Sequence, residues 1–268
     1  MYQKVVDAFG LKKGDIIYLS SDLVKLADHI RRKEGRRFDP VKLLEMFQQA
    51  VGEQGTIMLP TFCFGFSNDG YYDYAHTKGT SGALGNIALF KCGYMRTRHP
   101  MHSFAVRGKD SDMLVNMENK HSFGEDSPFG YCKVNNVKQI MLGTDYRHAM
   151  TFVHYVETVC NVPYRFAKVF TGKYIDSYGK ETEREYDYAV RRLDVGTKEK
   201  FNRIGEILEE KGAAHKIMME GMNGCVSYIA MLGDSFPIIK SDITENMCRN
   251  LYDFRVSREE LFKRYTGI

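Results

Sequence analysis

The stretch "VKQIMLGTDYRHAMTFVHYVETV", residues 137–159, decides how the chain is read. Its first half is a short apolar run closed by Gly143, the pattern of a core strand meeting a turn. A polar loop follows. From Thr151 onward neither proline nor glycine appears up to Cys160, so a helix can begin there with Thr151 as its cap. A strand, a loop and a helix in that order form the repeating unit of an α/β fold. His154 and Glu157 stand three residues apart and so share one helical face. A carboxylate beside an imidazole fixes the ring's orientation and stabilises its protonated form, which is what a general base requires. Surface His–Glu pairs of this spacing are also common, so spacing alone leaves both readings open.

Upstream, the same alternation recurs. "GDIIYLSSDL" (14–23) is a turn and then a strand ending in Ser20 and Ser21. "DPVKLLEMFQQAVG" (39–52) is a helix, capped by Asp39, with Pro40 in its first turn and Gly52 beyond its last apolar residue. "GTIMLPTFCF" (55–64) is a second buried strand interrupted by Pro60, and "SGALGNIALFKCG" (81–93) has helical spacing. Downstream, residues 165–190 alternate with period two on both sides of "SYGK", which predicts a β-hairpin with Gly179 in its turn. Helices are predicted over 197–212, 241–252 and 257–265, the last opened by Ser257 and Glu260 at capping-box spacing. The expectation is one domain, 1–268, with a core of about 1–164 plus 197–268. The hairpin, about 165–190, is expected as an appended lobe, because no linker precedes it.

Composition narrows the class. Of 268 residues, 43% are hydrophobic and 27% charged, as in ordinary globular chains. No apolar run is long enough to span a bilayer, and the first fifteen residues lack a secretory leader's pattern. Six scattered cysteines, with no CxxC pair, predict reduced thiols and a cytoplasmic protein. The net charge is +4. The window 23–40 holds six basic residues, Lys25, Arg31 and Arg32 among them, against three acidic ones, a net +3. Such a cluster suits a phosphate-bearing ligand, or is simply a solvated surface. Basic stripes with interleaved aromatics are absent, so no nucleic acid is expected.

Other candidates lie in loops. "RTRHPMHSFAVRG" (96–108) packs arginines, His99, His102 and Ser103 ahead of a strand at Phe104–Val106. Its histidines lack cysteine or carboxylate partners at metal spacing, so no metal is expected. The loops "LSSDL", "PTF", "TSGALG" and "DSPFG" offer hydroxyls and backbone donors after strands, where α/β folds meet their ligands. The signatures GxGxxG, GxxxxGK[ST] and GxSxG do not occur.

Taken in order, "GDIIYLSSDL", "VGEQGTIMLPTF", "GTSGALGNIALFKCGYMRTRHPMHSFAVRG", "FGEDSPFGYC", "QIMLGTDYRHAMTFVHYVET" and "PYRF" resemble the aminoglycoside 3-N-acetyltransferase family. The resemblance covers roughly residues 10 to 170, and the ordered set H-P-x-H-S, S-P-F-G and T-x-x-H-x-x-E carries it. It implies a layered α/β fold, with a central mixed sheet flanked by helices and the hairpin lobe appended. It also implies acyl transfer from acetyl-CoA or another acyl-CoA to a primary amine of an amino sugar. His154 then maps to the family's catalytic histidine and Glu157 to the acid of the same motif, with Thr151 beside them. Asp145 and Glu220 are alternative acids for orienting the ring. Thr151 and Ser103 are candidate donors to the developing oxyanion.

Ser20, Ser21, Thr61, Phe62, Ser81, Ser103 and Phe104 are expected to line the coenzyme A channel, with Lys25, Arg31 and Arg32 for its phosphates. Tyr72, Asp73, Tyr74, His102, Glu125, Asp126, Ser127 and Arg165 are expected to face the second substrate. The family's histidine before the serine pair is replaced by Leu19 here. A pI near 8.6 favours an anionic acceptor, a nucleoside-diphosphate-linked amino sugar of surface-polysaccharide synthesis. The alternatives are an aminoglycoside, as in antibiotic resistance, or a non-catalytic ligand-binding relative. The expected partners are acyl-CoA and the sugar, without membrane or metal, and with a homodimer as the assembly to test.

Overall fold

A computed structural model describes residues 1–219 and 225–266. The chain begins with α1 (Tyr2–Asp7), β1 (Ile16–Ser21), α2 (Val24–Glu34), α3 (Pro40–Val51) and β2 (Thr56–Pro60). Then come α4 (Gly65–Asp69), β3 (Tyr71–Asp73), α5 (Ala83–Lys91), β4 (Met95–Arg96), β5 (Phe104–Gly108) and α6 (Ser111–Val115). The middle holds α7 (Pro128–Val134), β6 (Lys138–Leu142), α8 (Tyr146–Ala149), α9 (Phe152–Val159), β7 (Arg165–Ile175) and β8 (Glu181–Arg191). The last part is β9 (Thr197–Glu199), α10 (Phe201–Glu210), β10 (Ala214–Ile217), β11 (Ser227–Met231), α11 (Leu232–Thr244), β12 (Tyr252–Phe254) and α12 (Arg258–Thr266).

Seven strands form the main sheet in the order β10-β11-β6-β1-β2-β5-β4. The central three, β6, β1 and β2, are parallel, and antiparallel strands flank them on both sides. Helices cover both faces, so the central strands are apolar on both. Period-two alternation sorts their side chains between two cores. Ile17, Leu19, Ile57, Leu59, Ile140 and Leu142 meet α1, α2, α3 and α5. Tyr18, Met58 and Met141 face α7, α9, α10 and α11.

The expected α3 forms with its expected cap: the Asp39 carboxylate accepts from the Val41 and Lys42 amides at 3.0 and 3.2 Å. The hairpin also forms, with β7 and β8 paired from Arg165–Arg191 to Ile175–Glu181 and Gly179 at φ 79°. β3 adds to it as a third strand. An aromatic cluster of Phe66, Tyr72, Tyr174 and Tyr186 fixes it to the rest of the chain.

The helix predicted at 241–252 is corrected. The real helix, α11, starts nine residues earlier, passes through Pro237 and ends at Thr244. Met247 and Cys248 have φ of 48° and 61°, which no helix accommodates. The buried Asp242 carboxylate holds that turn by accepting from the Asn246 and Asn250 side-chain amides at 2.8 and 2.7 Å. The 197–212 helix is shorter than read, because Thr197–Glu199 pairs as a strand with β12. The last helix keeps its cap, with the Glu260 amide donating to Ser257 Oγ at 3.3 Å.

Candidate active site

The parallel strands β1, β2 and β6 end on one side of the sheet, the side where such sheets present ligands. There β1 delivers Ser20 and Ser21, β2 runs into Thr61, and β6 runs into Gly143 and the loop to α9. β5 is antiparallel and begins there, so Ser103 lies beside Thr61, whose amide donates to the Ser103 carbonyl at 2.9 Å. The end of β1 also reaches α9: Ser20 and Thr151 both lie against the Tyr18 hydroxyl, whose ionisation burial suppresses.

α9 buries Phe152, Val153, Tyr155, Val156 and Glu157. A wholly buried carboxylate is costly unless it is paired. Glu157 is paired on every side. Its Oε2 stands 2.8 Å from His154 Nδ1 and 2.6 Å from Arg165 Nε. Its Oε1 accepts the Tyr164 hydroxyl at 2.9 Å. The Arg165 contact is an ion pair rather than an aligned hydrogen bond, since Nε finds no aligned acceptor. The Arg165 fork also donates to the Ala189 carbonyl at 3.0 Å and to the Tyr252 hydroxyl at 3.3 Å. Burial disfavours the Glu157 carboxylate, but Arg165 and His154 outweigh it and hold its pKa at about 2.

This arrangement sets the His154 tautomer. An ionised carboxylate only accepts, so Nδ1 carries a proton and donates it to Glu157. Arg165 Nη2, 3.1 Å from the same nitrogen, is therefore a like-signed neighbour. The lone pair is left on Nε2. Burial, and after it the Arg165 charge, lower the pKa of His154, so the ring is neutral near pH 7. About a quarter of its side chain (24%) remains exposed. Phe123 and Phe201 stand edge-on to it at 5.8 and 5.9 Å. A neutral imidazole, oriented by a buried anion and open at Nε2, is equipped to take a proton.

The remaining predicted residues divide. Asp145 is not the orienting acid: it caps α8 and pairs with His148. Glu220 lies outside the described residues. Thr61 and Ser103 share a hydroxyl–hydroxyl bond at 2.8 Å, and Ser103 Oγ also lies 3.1 Å from the Thr61 carbonyl. Both are enclosed, so Ser103 is not a donor to an oxyanion, contrary to expectation. Phe62 and Phe104 pack edge-on at 5.3 Å, and the Phe62 amide donates to Ser81 Oγ at 2.9 Å.

Lys25, Arg31 and Arg32 lie on the exposed side of α2, and both arginines pair with Asp28. Tyr72 is wholly buried and its hydroxyl accepts from Arg96, so it cannot face a substrate. Asp73 caps a turn through the Ala75 and His76 amides, and Tyr74 donates to the Arg96 carbonyl. Ser127 caps α7, while Glu125 and Asp126 are exposed just beyond Phe123. Arg165 is committed to Glu157 and is corrected from substrate ligand to positioning residue. The sequence reading missed Tyr164 and Tyr252, since tyrosines far from the motif in sequence leave no periodic signal.

A cavity of about 600 Å³ lies elsewhere, lined by Arg98, Glu118, Lys120, Glu183, Arg184 and Tyr186 among others. His154 does not line it, and it carries charges of both signs. Among the described residues, no group of His, Cys, Asp and Glu is placed to hold a metal ion, and no helix is long and apolar enough to cross a membrane.

Several solved structures share this fold. Aminoglycoside acetyltransferase AAC(3)-Xa matches with a TM-score of 0.74 at 15% identity, covering 91% of this chain and 92% of its own. The YokD protein from Bacillus subtilis matches at 0.73 and 19% identity, covering 93% and 95%. AAC-IIIb, solved as a binary complex with coenzyme A, matches at 0.73 and 15%, covering 91% and 95%. No curated protein matches the chain in sequence. The family model for aminoglycoside 3-N-acetyltransferase matches residues 30–227, most of the chain. The protein therefore belongs to the aminoglycoside 3-N-acetyltransferase family, N-acyltransferases that take their acyl group from acyl-coenzyme A.

Proposed function

We propose that this protein moves an acyl group from acyl-CoA directly onto a primary amine of an aminoglycoside-type amino sugar, with His154 as the general base. The observation that carries the reading is the Glu157–His154 bond at 2.8 Å, which leaves a neutral Nε2 with a lone pair. An amino-sugar amine is mostly an ammonium at neutral pH, so it first loses one proton to solvent, and the free amine is the form that attacks. His154 Nε2 removes the amine's proton as the C–N bond forms. The C–S bond then breaks, and the proton passes to the departing thiolate. A positioned base contributes roughly 10²–10⁴-fold. Glu157 stabilises the imidazolium that forms in between, and Arg165 with Tyr164 keeps Glu157 ionised and in place.

The pantetheine arm is assigned to the end of β1 and the start of α5. Gly82 opens α5 with φ 112° and no side-chain cap, and a Cβ there would lie 3.8 Å from the Ser21 carbonyl. That ordinary contact sets the start of α5 near the end of β1, and the helix's first amides have no side-chain cap. Cys132, Cys160 and Cys248 offer no rival route, since burial raises their pKa.

The nucleotide-linked sugar rested on the chain's pI near 8.6, and the segment 23–40 holds +3 of the net charge of +4. Arg31 and Arg32 are paired with Asp28, and Arg36 with Glu34, all near the surface. Much of that field is neutralised locally, and the family match favours the aminoglycoside reading. A thiol-release assay with acetyl-CoA and a panel of aminoglycosides, free amino sugars and nucleotide-linked amino sugars tests it. Release with nucleotide-linked sugars alone would reverse the choice of acceptor, and no release with any amine would end the enzymatic reading.

A further inference from the structure

Acyl transfer puts negative charge on the thioester oxygen, and Ser103, the serine expected to meet it, is turned inward. A second histidine holds a suitable donor, and its tautomer follows from a chain of contacts. His99 Nδ1 lies 3.3 Å from the backbone amides of both Met101 and His102. Amides donate, so His99 Nδ1 is the bare nitrogen and Nε2 carries the proton. That Nε2 stands 3.2 Å from both the Lys120 carbonyl and Ser122 Oγ. Ser122 cannot donate to a nitrogen that already bears hydrogen. Its own proton goes to its other neighbour, His102 Nδ1, 2.9 Å away. His102 is thereby a neutral ring with its hydrogen on Nε2.

That nitrogen has no partner among the described residues, and it is not one of the fully enclosed polar atoms. The ring sits in an aromatic sleeve, with Phe62 at 5.1 Å, Phe64 at 5.4 Å, Tyr188 at 5.6 Å and Phe123 at 4.8 Å. Phe123 is the ring whose other contact is His154. The two imidazoles thus flank one phenyl group. Burial, the largest cause, lowers the His102 pKa strongly, so it stays neutral near pH 7.

We infer that His102 is a catalytic residue: its Nε2–H, aimed by the Ser122–His99 relay, donates to the thioester oxygen as that oxygen becomes negative. The inference rests on the acyl-transfer reading and goes beyond it. A fixed dipole in a water-poor sleeve needs no reorganisation during the reaction, and removing one such donor typically costs about 10²–10³-fold in kcat. His154, with a bare Nε2, and His102, with a protonated one, are opposite tautomers serving opposite ends of one reaction.

The test compares His102→Ala with His102→Gln, whose amide restores an N–H donor, in the thiol-release assay. We expect His102→Ala to lose about 10²–10³-fold in kcat with KM for acetyl-CoA little changed, and His102→Gln to recover at least tenfold of that loss. A His102→Ala kcat within threefold of wild type overturns the inference, as does an equal loss in both variants. Nitrogen-15 NMR of histidine-labelled wild-type protein at pH 7.5 reads the tautomer without turnover, with the His102→Gln spectrum giving the assignment. Protonation at Nε2 and a bare Nδ1 are expected, and a proton on Nδ1 overturns the inference even if His102→Ala fails to fold. Should wild type turn over while His154→Ala is silent, a negative His102 result counts against this inference alone. Should wild type acylate no amine at all, the acyl-transfer reading fails first and takes this inference with it.

Discussion

Arg165 Nε lies 2.6 Å from Glu157 Oε2 in a pocket that leaves Glu157 no exposed surface. Each charge is tolerable only because of the other. Glu157→Ala should lower unfolding stability by about 3–5 kcal/mol, since it strands a buried guanidinium. Replacing both residues with apolar ones of similar size should cost less than either single change. Urea titrations of the two single variants and the double variant check this, and additive losses would refute the coupling.

His154→Ala should reduce kcat by about 10²–10⁴-fold while leaving the fold and coenzyme A affinity near wild type. The side chain is partly exposed, and Arg165 and Tyr164 still pair with Glu157 when the imidazole is removed. Calorimetric titration with coenzyme A separates lost chemistry from lost binding.

Activity should depend on pH through a group titrating below the ordinary histidine value of 6.5. Burial and then Arg165 push the His154 pKa down, so the enzyme's own acid limb should lie below pH 6.5, beneath the rise with pH that deprotonation of the substrate ammonium gives kcat/KM. Arg165→Gln removes one of those causes and should move the acid limb upward. A limb that stays put would remove Arg165 from the account.

Acid should also unfold the protein earlier than its carboxylates alone require. His99 is held near 3 by burial, below its unfolded value near 6.5. The unfolded chain therefore binds a proton there that the folded chain refuses. The stabilisation is complete above pH 6.5 and is lost as pH falls toward 3. Glu157, held near 2 against the ordinary 4.5, has the same sign over a lower window. Urea midpoints should hold from pH 7.5 to about 6.5 and decline from there down to 4. A flat profile from 6.5 to 5 would contradict the buried neutral histidine.

Gly85→Ala should destabilise although alanine is the better helix former. A Cβ there would sit 2.3 Å from the Pro60 carbonyl, so α5 would be pushed off β2 at about 1–3 kcal/mol. Thermal melts of this variant beside Asp39→Ala, which loses a cap and should cost about 1 kcal/mol, give a scale for the effect.

Period and capping were legible in the chain itself. β1, β2, β6, α3, α9 and the β7–β8 hairpin follow from alternation, helical spacing, Asp39, Pro40 and Gly179, because these are local signals acting over a few residues. The His154–Glu157 face was legible for the same reason. The 241–252 helix was misread because Asp242 ties Asn246 and Asn250 into a turn, a contact that outweighs local propensity. Pairing was not legible. Tyr164, Arg165 and Tyr252 converge on Glu157 from β7, the turn before it and β12, and Arg165 became its counter-ion rather than a substrate ligand. Nor were the opposed tautomers of His154 and His102. A tautomer depends on which donor or acceptor stands about 3 Å from each nitrogen: Glu157 meets His154 along one helix, but only tertiary packing brings Ser122 to His102, and Arg165, which keeps Glu157 ionised, to Glu157.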